Sequence, residues 1–262
     1  MNIILCVKQV PGSTTVEMDP VTGTLKRDGA AAKLNPYDLF AIEAALCLKE
    51  RAGGQVTALT MGPGQAKKAL LETIWMGADA AVLVSDRRFA GADVLATART
   101  LAGAVARIGQ PDVIICGKQT TDGDTAQVGA ELAELLGIPH VSGVREILEI
   151  EAGSLVVSAV SDACTTTLRI QLPCLLCMDG DINTPRLPSY LRMQRTPEDA
   201  LRTLTLADLP ETDPLRYGLD GSPTKVERIF PPEPAGERRM YEGCSEELAG
   251  IAAGLLRSCK VI

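Results

Sequence analysis

Short apolar runs alternate with segments of helical period along the first half of the chain. Each run has the length of a buried strand, and turns containing Gly or Pro separate the runs from the helical segments. This alternation predicts an α/β fold with a doubly wound, mostly parallel sheet. The predicted strands are Asn2–Lys8, Gln55–Met61, Ala80–Val84 and Val113–Cys116, and the predicted helices begin near Asn35-Pro36, Gln65, Gly91 and Thr125.

The pattern changes after Val141, where apolar and polar residues alternate one by one. Such alternation predicts an antiparallel extension of the sheet. Its predicted strands are Arg145–Ile150, Ser154–Val160 and Thr165–Leu172.

The last part of the chain is rich in Pro and Arg and lacks a regular pattern. We therefore divide the chain into an α/β domain, residues 1–188, and a C-terminal arm, residues 189–262, which we expect to lie on another polypeptide. The arm ends in a predicted amphipathic helix that is capped by Ser245 and carries Glu246 and Glu247 in its first turn. Packing of this helix on its own domain and docking on a partner both fit the pattern.

Composition narrows the function classes. Hydrophobic residues make up 46% of the chain and aromatic residues 3%, so Val, Ile, Leu and Ala form the core. A net charge of −7 argues against nucleic-acid binding, which needs a clustered basic surface. No apolar run approaches the roughly 18 residues of a membrane span, and the chain start lacks the features of a signal peptide. We expect a cytoplasmic protein without direct membrane insertion.

Histidine and cysteine usage argues against metal and hydrolase sites. His140 is the one histidine, and no nucleophile-elbow motif accompanies it, which disfavours zinc sites and a Ser-His-Asp triad. The 8 cysteines are scattered among predicted strands and helices, as is typical of reduced thiols. Cys174 and Cys177 form a C-x-x-C pair in a strand-like stretch, where they point to opposite faces. We interpret them as core residues.

The segment Gly117–Gly129 is the strongest candidate for binding chemistry. It follows a buried strand and opens a helix, so backbone N–H groups and the positive helix end face one site, as in phosphate-binding loops. An ordinary polar loop with Asp124 as the helix cap also fits. The segment matches neither the P-loop nor the dinucleotide-binding glycine motif.

Other predicted strand ends meet at the same sheet edge. Cys6, the Asn35–Asp38 helix start and Met61 are candidates for clamping an adenine and a ribose, although each also fits a cap or a turn. The charged loop that ends at Asp93 is either a solvated surface loop or a cover over the ligand.

Several motifs, in order along the chain, resemble the beta subunits of electron transfer flavoproteins. The resemblance rests on Cys6-Val7-Lys8-Gln9-Val10-Pro11, Leu34-Asn35-Pro36-Tyr37-Asp38, Met61-Gly62-Pro63, Met76-Gly77-Ala78-Asp79, Gly117-Lys118-Gln119, Asp122 to Gly129, Asn183-Thr184-Pro185-Arg186 and Gly221 to Val226. No single motif is decisive, but their ordered combination is highly specific.

The resemblance implies an adenine-nucleotide-binding domain with Rossmann-like layers. It also implies a heterodimer in which the C-terminal arm wraps an alpha subunit, and this alpha subunit holds most of the electron-delivering FAD. It implies AMP in the site of ordinary members, and in electron-bifurcating members FAD, which accepts electrons from NADH. The cofactor-binding residues that we carry over are Cys6, Asn35, Pro36, Tyr37, Asp38, Met61, Asp93, Gly117, Lys118, Gln119, Thr120, Thr121, Asp122, Gly123, Asp124, Thr125, Gln127, Val128 and Gly129.

The resemblance also implies a partner-recognition segment, formed by Arg186, Leu187, Pro188, Ser189, Tyr190, Leu191 and Arg192. Its Tyr190 and Arg192 depart from the common pattern, and the tail beyond Pro232 is longer than in ordinary members. Expected redox partners are an acyl-CoA dehydrogenase or a quinone-linked oxidoreductase, together with a low-potential acceptor such as ferredoxin or flavodoxin.

Two features favour the bifurcating type with FAD. The stretch Ser85–Thr97 resembles the corresponding segment of bifurcating members, and Gly123 stands where ordinary members tend to carry an acidic residue. A glycine there leaves room for a pyrophosphate and removes one nearby charge.

Three alternatives to this function remain: an ordinary carrier with AMP, an ATP-binding hydrolase or sensor, and an assembly subunit with an empty pocket. The flavin would supply the redox chemistry, so we assign no catalytic residue.

Overall fold

A computed structural model describes residues 1–12, 17–18, 25–26, 32–180, 182–197, 200–225 and 239–261 of the 262-residue chain. The strands are β1 Asn2–Cys6, β2 Gln9–Pro11, β3 Glu17–Met18, β4 Leu25–Lys26, β5 Ala32–Leu34, β6 Gln55–Met61, β7 Ala80–Val84, β8 Val113–Gly117, β9 His140–Glu151, β10 Ser154–Val160, β11 Thr165–Gln171, β12 Cys174–Met178 and β13 Leu201–Leu204. The helices are α1 Pro36–Ala52, α2 Lys67–Met76, α3 Val94–Ile108, α4 Val128–Leu136, α5 Tyr190–Arg195 and α6 Ser245–Ser258.

Within the described ranges, nine strands form one sheet in the order β11-β10-β9-β12-β8-β1-β6-β7-β13. All neighbouring pairs from β9 to β13 are parallel. The pairs β9-β10 and β10-β11 are antiparallel. The predicted doubly wound, mostly parallel α/β sheet with an antiparallel extension is therefore confirmed.

The central strands are buried on both faces because helices cover both sides of the sheet. Along β1, Ile3 and Leu5 join the apolar cluster that includes α1 and α2, whereas Ile4 and Cys6 join the cluster that includes α3 and α4. This two-residue alternation between two cores follows from strand geometry. The carboxyl ends of β1, β6, β8 and β12 consequently open at one edge of the sheet.

Residues 200–222 of the predicted arm pack on the sheet. Strand β13 pairs with β7 at the sheet edge, and Leu204, Leu206 and Tyr217 are buried. The compact unit that contains the sheet runs from Met1 to Glu227. The prediction that residues 189–262 lie on another polypeptide stays a prediction.

A second compact unit comprises Arg228–Ile262 and contains α6. This helix begins at Ser245, so the residue that caps it is Cys244 and not the predicted Ser245, and the backbone N–H of Cys244 donates to Glu247 at 3.0 Å. Pro232, where the longer tail begins, lies outside the described residues. No helix in the described part of the chain is both long and apolar enough to cross a membrane.

Candidate functional site

Asn35 joins the start of α1 to the loop after β8. Its side-chain amide donates to the backbone oxygen of Gln119 at 2.8 Å, and its side-chain oxygen accepts from the backbone N–H of Thr121 at 3.3 Å. Asn35 precedes Pro36 at the helix start, as predicted, but its side chain makes no capping bond to the helix. The fully buried Asn35 side chain instead holds the loop that the sequence singles out.

Asp38 is a buried carboxyl beneath this loop. It accepts hydrogen bonds from the backbone N–H of Lys8 at 2.7 Å and from the side-chain amide of Asn35 at 2.9 Å. Burial raises the pKa of Asp38 to about 7, although both donors oppose the shift. Desolvation disfavours the ionised form of an acid, so Asp38 holds a proton for much of the time near neutral pH.

Gly117 ends β8 in contact with this carboxyl. A Cβ atom at Gly117 would clash with the Asp38 carboxylate and would lie 2.9 Å from the backbone carbon of Tyr37. The close approach of β8 to the first turn of α1 therefore requires glycine.

The loop after Gly117 is longer than predicted, because α4 begins at Val128 and not at Thr125. Gln127 precedes the helix and makes no side-chain capping bond. Asp124 accepts from the Gln119 side chain at 2.7 Å, so it acts within the loop and does not cap α4. Asp124 and Ala126 have φ values of 51° and 55°, a left-handed conformation that non-glycine residues rarely adopt. Strained backbone of this kind clusters at functional sites.

The acidic groups of the loop are paired with cations or donors. Lys8 Nζ lies 2.8 Å from Asp122, and this pair lowers the pKa of Asp122 although partial burial opposes ionisation. Lys118 Nζ lies 3.4 Å from Asp179, which follows β12, and Arg145 Nε lies 3.8 Å from the same carboxylate. Lys8, Asp179 and Arg145 are absent from the residues that the sequence assigns to the site.

Cys6 and Met61 lie at the same edge of the sheet. Cys6 pairs in register with Cys116 on β8, which pairs with Cys177 on β12, and all three are buried. Met61 ends β6 and packs on the same core.

The described residues contain no group of His, Cys, Asp and Glu suited to a metal ion. Cys174 and Cys177 are core residues on opposite faces of β12, as predicted.

Asp93 holds the chain's own backbone. It caps α3 by accepting from the backbone N–H of Ala96 at 3.0 Å, and its other oxygen accepts from the backbone and hydroxyl of Thr224 at 3.0 and 2.7 Å. Phe89 in the preceding charged loop is buried against Tyr217, with ring centroids 5.5 Å apart. Both carboxylate oxygens of Asp93 thus have partners within the fold, and its predicted cofactor contact stays a prediction.

The structure therefore brings together the helix start Asn35–Asp38, the segment Gly117–Gly129 and the end of β1. Residues 121–127 of the loop are exposed to solvent beside this cluster. An exposed loop that leads into an uncapped helix start, with Asp122 paired to Lys8 and Asp124 hydrogen-bonded to Gln119, is chemically suited to an anionic group.

Comparisons with known proteins identify the family of the chain. The family described as "Electron transfer flavoprotein domain" matches residues 22–209. An electron transfer flavoprotein subunit beta from Thermoanaerobacterium thermosaccharolyticum is 44% identical over 263 residues, covering 100% of both chains. Protein FixA from Azorhizobium caulinodans is 42% identical over 94% of this chain and 90% of its own length.

A third relative is the caffeyl-CoA reductase-Etf complex subunit CarD from Acetobacterium woodii. It is 39% identical over 264 residues, covering 100% of both chains. The family match covers well over half of the chain, and the identities extend over nearly its full length. The chain belongs to the electron transfer flavoprotein family, among its beta subunits.

Proposed function

We propose that this beta subunit binds FAD at the carboxyl edge of its sheet, in a cytoplasmic heterodimer with an alpha subunit. The observation that carries the proposal is the joined cluster of Asn35, Asp38 and the segment Gly117–Gly129. When bound, the flavin would accept electrons from NADH and pass them on. The chain's own residues supply binding, orientation and electrostatics.

A diphosphate suits the electrostatics of this cluster. Ionised acids beside a phosphate would repel it, but Asp38 has a pKa near 7, and Lys8 neutralises Asp122. The start of α4 supplies the positive end of a helix dipole. We propose that backbone N–H groups near Gly123 and the α4 start hold the diphosphate, and that Lys8 moves between Asp122 and the ligand.

Gly123 supports the bifurcating type over an ordinary carrier with AMP. A Cβ at Gly123 would have Thr120 Oγ1, at 3.7 Å, as its nearest neighbour, so the space beside it is open. An acidic side chain there would fill this space and add a charge.

The name of the relative CarD describes it as a subunit of a caffeyl-CoA reductase-Etf complex. We propose that this chain also works with a redox enzyme, either an acyl-CoA dehydrogenase or a quinone-linked oxidoreductase, and that ferredoxin or flavodoxin is its low-potential acceptor.

Two parts of the chain are candidates for contact with partners. We propose that residues 189–262, including α6, contribute to binding the alpha subunit. In the segment Arg186–Arg192, the side chains of Leu187 and Tyr190 are 87% and 69% exposed. Large apolar side chains exposed on one short segment commonly mark protein interaction sites, and we propose that these contact the redox partner.

An ordinary carrier with AMP is the second candidate, because the same cluster also fits a monophosphate. An ATP-binding hydrolase is less suited, since Lys118, the cationic side chain of the loop itself, is paired with Asp179 at 3.4 Å. ATP turnover by the heterodimer would favour the hydrolase.

The test is the cofactor content of the purified heterodimer, co-expressed with its alpha subunit. Denaturation, chromatography and absorbance should give two FAD per heterodimer. One FAD together with one AMP would overturn the bifurcating proposal, and no adenine nucleotide beyond the alpha-subunit FAD would overturn the site itself. Gly123→Asp should lose the second FAD, whereas Gly123→Ala, which adds a methyl group without charge, should retain most of it.

A further inference from the structure

Arg186 opens the segment Arg186–Arg192, yet its guanidinium faces its own chain. Its Nε and Nη2 donate to the two carboxylate oxygens of Glu43, at 2.8 and 2.9 Å, and its Nη1 donates to Glu50 at 2.7 Å. The backbone N–H of Arg186 also donates to Glu43, at 3.0 Å. A guanidinium engaged in this two-pronged geometry has few donors left for a second protein.

Glu43 is a buried carboxylate on α1, only 7% exposed. Burial opposes its ionisation, but the hydrogen bonds and charge of Arg186 prevail and lower the pKa of Glu43. The same contacts raise the pKa of Arg186. A buried carboxylate is costly without such a partner, so each group holds the other in place.

Two further bonds fix the chain on either side of Leu187. The side-chain amide of Asn183 donates to the backbone oxygen of Phe40 on α1, at 2.9 Å. The backbone N–H of Ser189 donates to the backbone oxygen of Trp75 on α2, also at 2.9 Å. The backbone is thus attached to α1 and α2, while Leu187 projects into solvent.

Helix α1 also begins at the candidate nucleotide site. Asp38 in its first turn contacts the chain beside Gly117, and Glu43 lies about one and a half turns farther along the helix. The position of the exposed segment is therefore tied, through one rigid helix, to the position of the site.

Resting on the function proposed above, we propose that Arg186 is a positioning residue for partner recognition. Its paired contact with Glu43 fixes where Leu187, Tyr190 and Leu191 are presented to the redox partner. Arg186 itself does not contact that partner. The resemblance places Arg186 in the recognition segment, and the geometry gives it a supporting role distinct from that of its neighbours.

The experiment uses the full heterodimer and two measurements. The first is steady-state electron transfer from a purified short-chain acyl-CoA dehydrogenase with butyryl-CoA, followed with a reducible dye while the heterodimer concentration is varied. The second is amide hydrogen exchange in residues 187–195. Arg186→Gln and Glu43→Gln remove the paired contact, and Leu187→Ala and Tyr190→Ala alter the exposed surface directly.

Two control variants match these changes. Glu50→Gln removes the second carboxylate that Arg186 contacts. The Glu50 side chain is 58% exposed. Arg169→Gln removes a similar two-pronged pair, with Glu151 at 2.9 Å for both bonds, on the antiparallel extension.

Arg186→Gln and Glu43→Gln should raise the KM for the heterodimer about tenfold and change kcat by less than about twofold. They should also accelerate exchange in residues 187–195, whereas Leu187→Ala should raise KM without faster exchange. The two controls should change neither quantity by more than about twofold. If Arg186→Gln does not fold, Arg186→Lys is the alternative variant. Lysine keeps the charge but cannot make the two parallel hydrogen bonds to Glu43, so KM should rise by less than the roughly tenfold increase expected for glutamine.

Two results would overturn the positioning role alone. One is an Arg186→Gln variant in which amide hydrogen exchange of residues 187–195 is unchanged, and the other is a variant in which this exchange is faster but the KM for the heterodimer is unchanged. A wild-type heterodimer that accepts no electrons from the dehydrogenase, or surface variants without effect on KM, would overturn the proposed recognition surface and this inference with it. The exchange measurement distinguishes the two failures, because it reports the Arg186–Glu43 contact without any partner.

Discussion

Asp38 and Glu43 lie on the same helix and are both buried, but their environments favour opposite protonation states. Asp38 accepts only from neutral donors, the backbone of Lys8 and the side chain of Asn35, and burial raises its pKa to about 7. Glu43 is paired with Arg186, and its pKa is lowered. Burial alone therefore does not decide the charge of a carboxyl. The presence of a directly bonded cation does.

This difference suits the roles that we propose for the two ends of α1. A carboxyl whose pKa is raised by burial to about 7 repels an anionic ligand less than a fully ionised carboxylate would, so it can lie beneath an anion-binding loop. An ionised carboxylate can instead hold a guanidinium and orient a surface segment.

Gly117→Ala should abolish the close packing over Asp38. The added Cβ would clash with the Asp38 carboxylate and approach the backbone of Tyr37 to 2.9 Å. Because backbone cannot move away cheaply, we expect the free energy of unfolding to fall by about 3 kcal/mol or more. Urea denaturation of the heterodimer measures this loss, and bound adenine nucleotide should decrease in parallel.

Gly123→Ala is the matched control in the same loop. Its new Cβ would have its nearest neighbour at 3.7 Å, an ordinary contact, so the stability should change little. Equal losses in the two variants would mean that the loop tolerates no side chain at all, and that contact with Asp38 is not the cause.

Glu43→Gln should destabilise the protein by about 2 kcal/mol at pH 7, because Arg186 loses its charged partner. The lowered pKa of Glu43 means that its stabilising contribution is present above its unfolded-state pKa and is lost as the pH falls through the folded-state value. The difference between variant and wild type should therefore shrink at acidic pH. Denaturation curves between pH 3 and pH 7 measure this.

Much of the fold could be predicted from the sequence because its signals are local. The strands Gln55–Met61 and Ala80–Val84 have the predicted bounds, since these short, mostly apolar runs lie between clear turn residues. The start of α4 was predicted wrongly at Thr125, because bonds from Asn35 and Gln119 hold the preceding loop in a non-helical shape. The left-handed Ala126 has no signal in the sequence.

The residue pairs that build the site were harder to predict from the sequence, since their partners are far apart in the chain. Lys8 and Asp122 are separated by 114 positions, and Glu43 and Arg186 by 143. No spacing rule connects such residues before the fold is known. The resemblance to a family supplied the residue types of the site, but the structure was needed to separate supporting groups such as Arg186 from exposed ones such as Leu187.

Asp38→Asn should change how stability depends on pH. For an acid whose folded-state pKa is raised from 3.8 to about 7, the native state binds more protons between these values, so stability falls as the pH rises through this range. The asparagine variant lacks this loss, and its stability relative to wild type should improve by about 1 to 2 kcal/mol from pH 6 to pH 8. A variant that keeps the wild-type pH dependence would show that Asp38 is already ionised.

Lys8→Gln should have the smallest effect on stability, and it tests whether nearby charges tune Asp38. The Lys8–Asp122 pair is exposed, with side chains 44% and 32% accessible, so its loss should cost about 0.5 kcal/mol or less and should diminish at high salt. Lys8 lowers the pKa of Asp38 and Asp122 raises it, so removing Lys8 should raise the pKa of Asp38 further. Denaturation at two salt concentrations measures the change in stability. The pH range over which the stabilities of wild type and Asp38→Asn diverge, compared with and without Lys8→Gln, measures the change in the pKa of Asp38.

Lys49→Gln, which removes a comparable exposed pair with Asp79, should leave that pH range unchanged. If Lys8→Gln also leaves it unchanged, burial alone accounts for the state of Asp38, and the contrast with Glu43 depends entirely on the absence of a bonded cation.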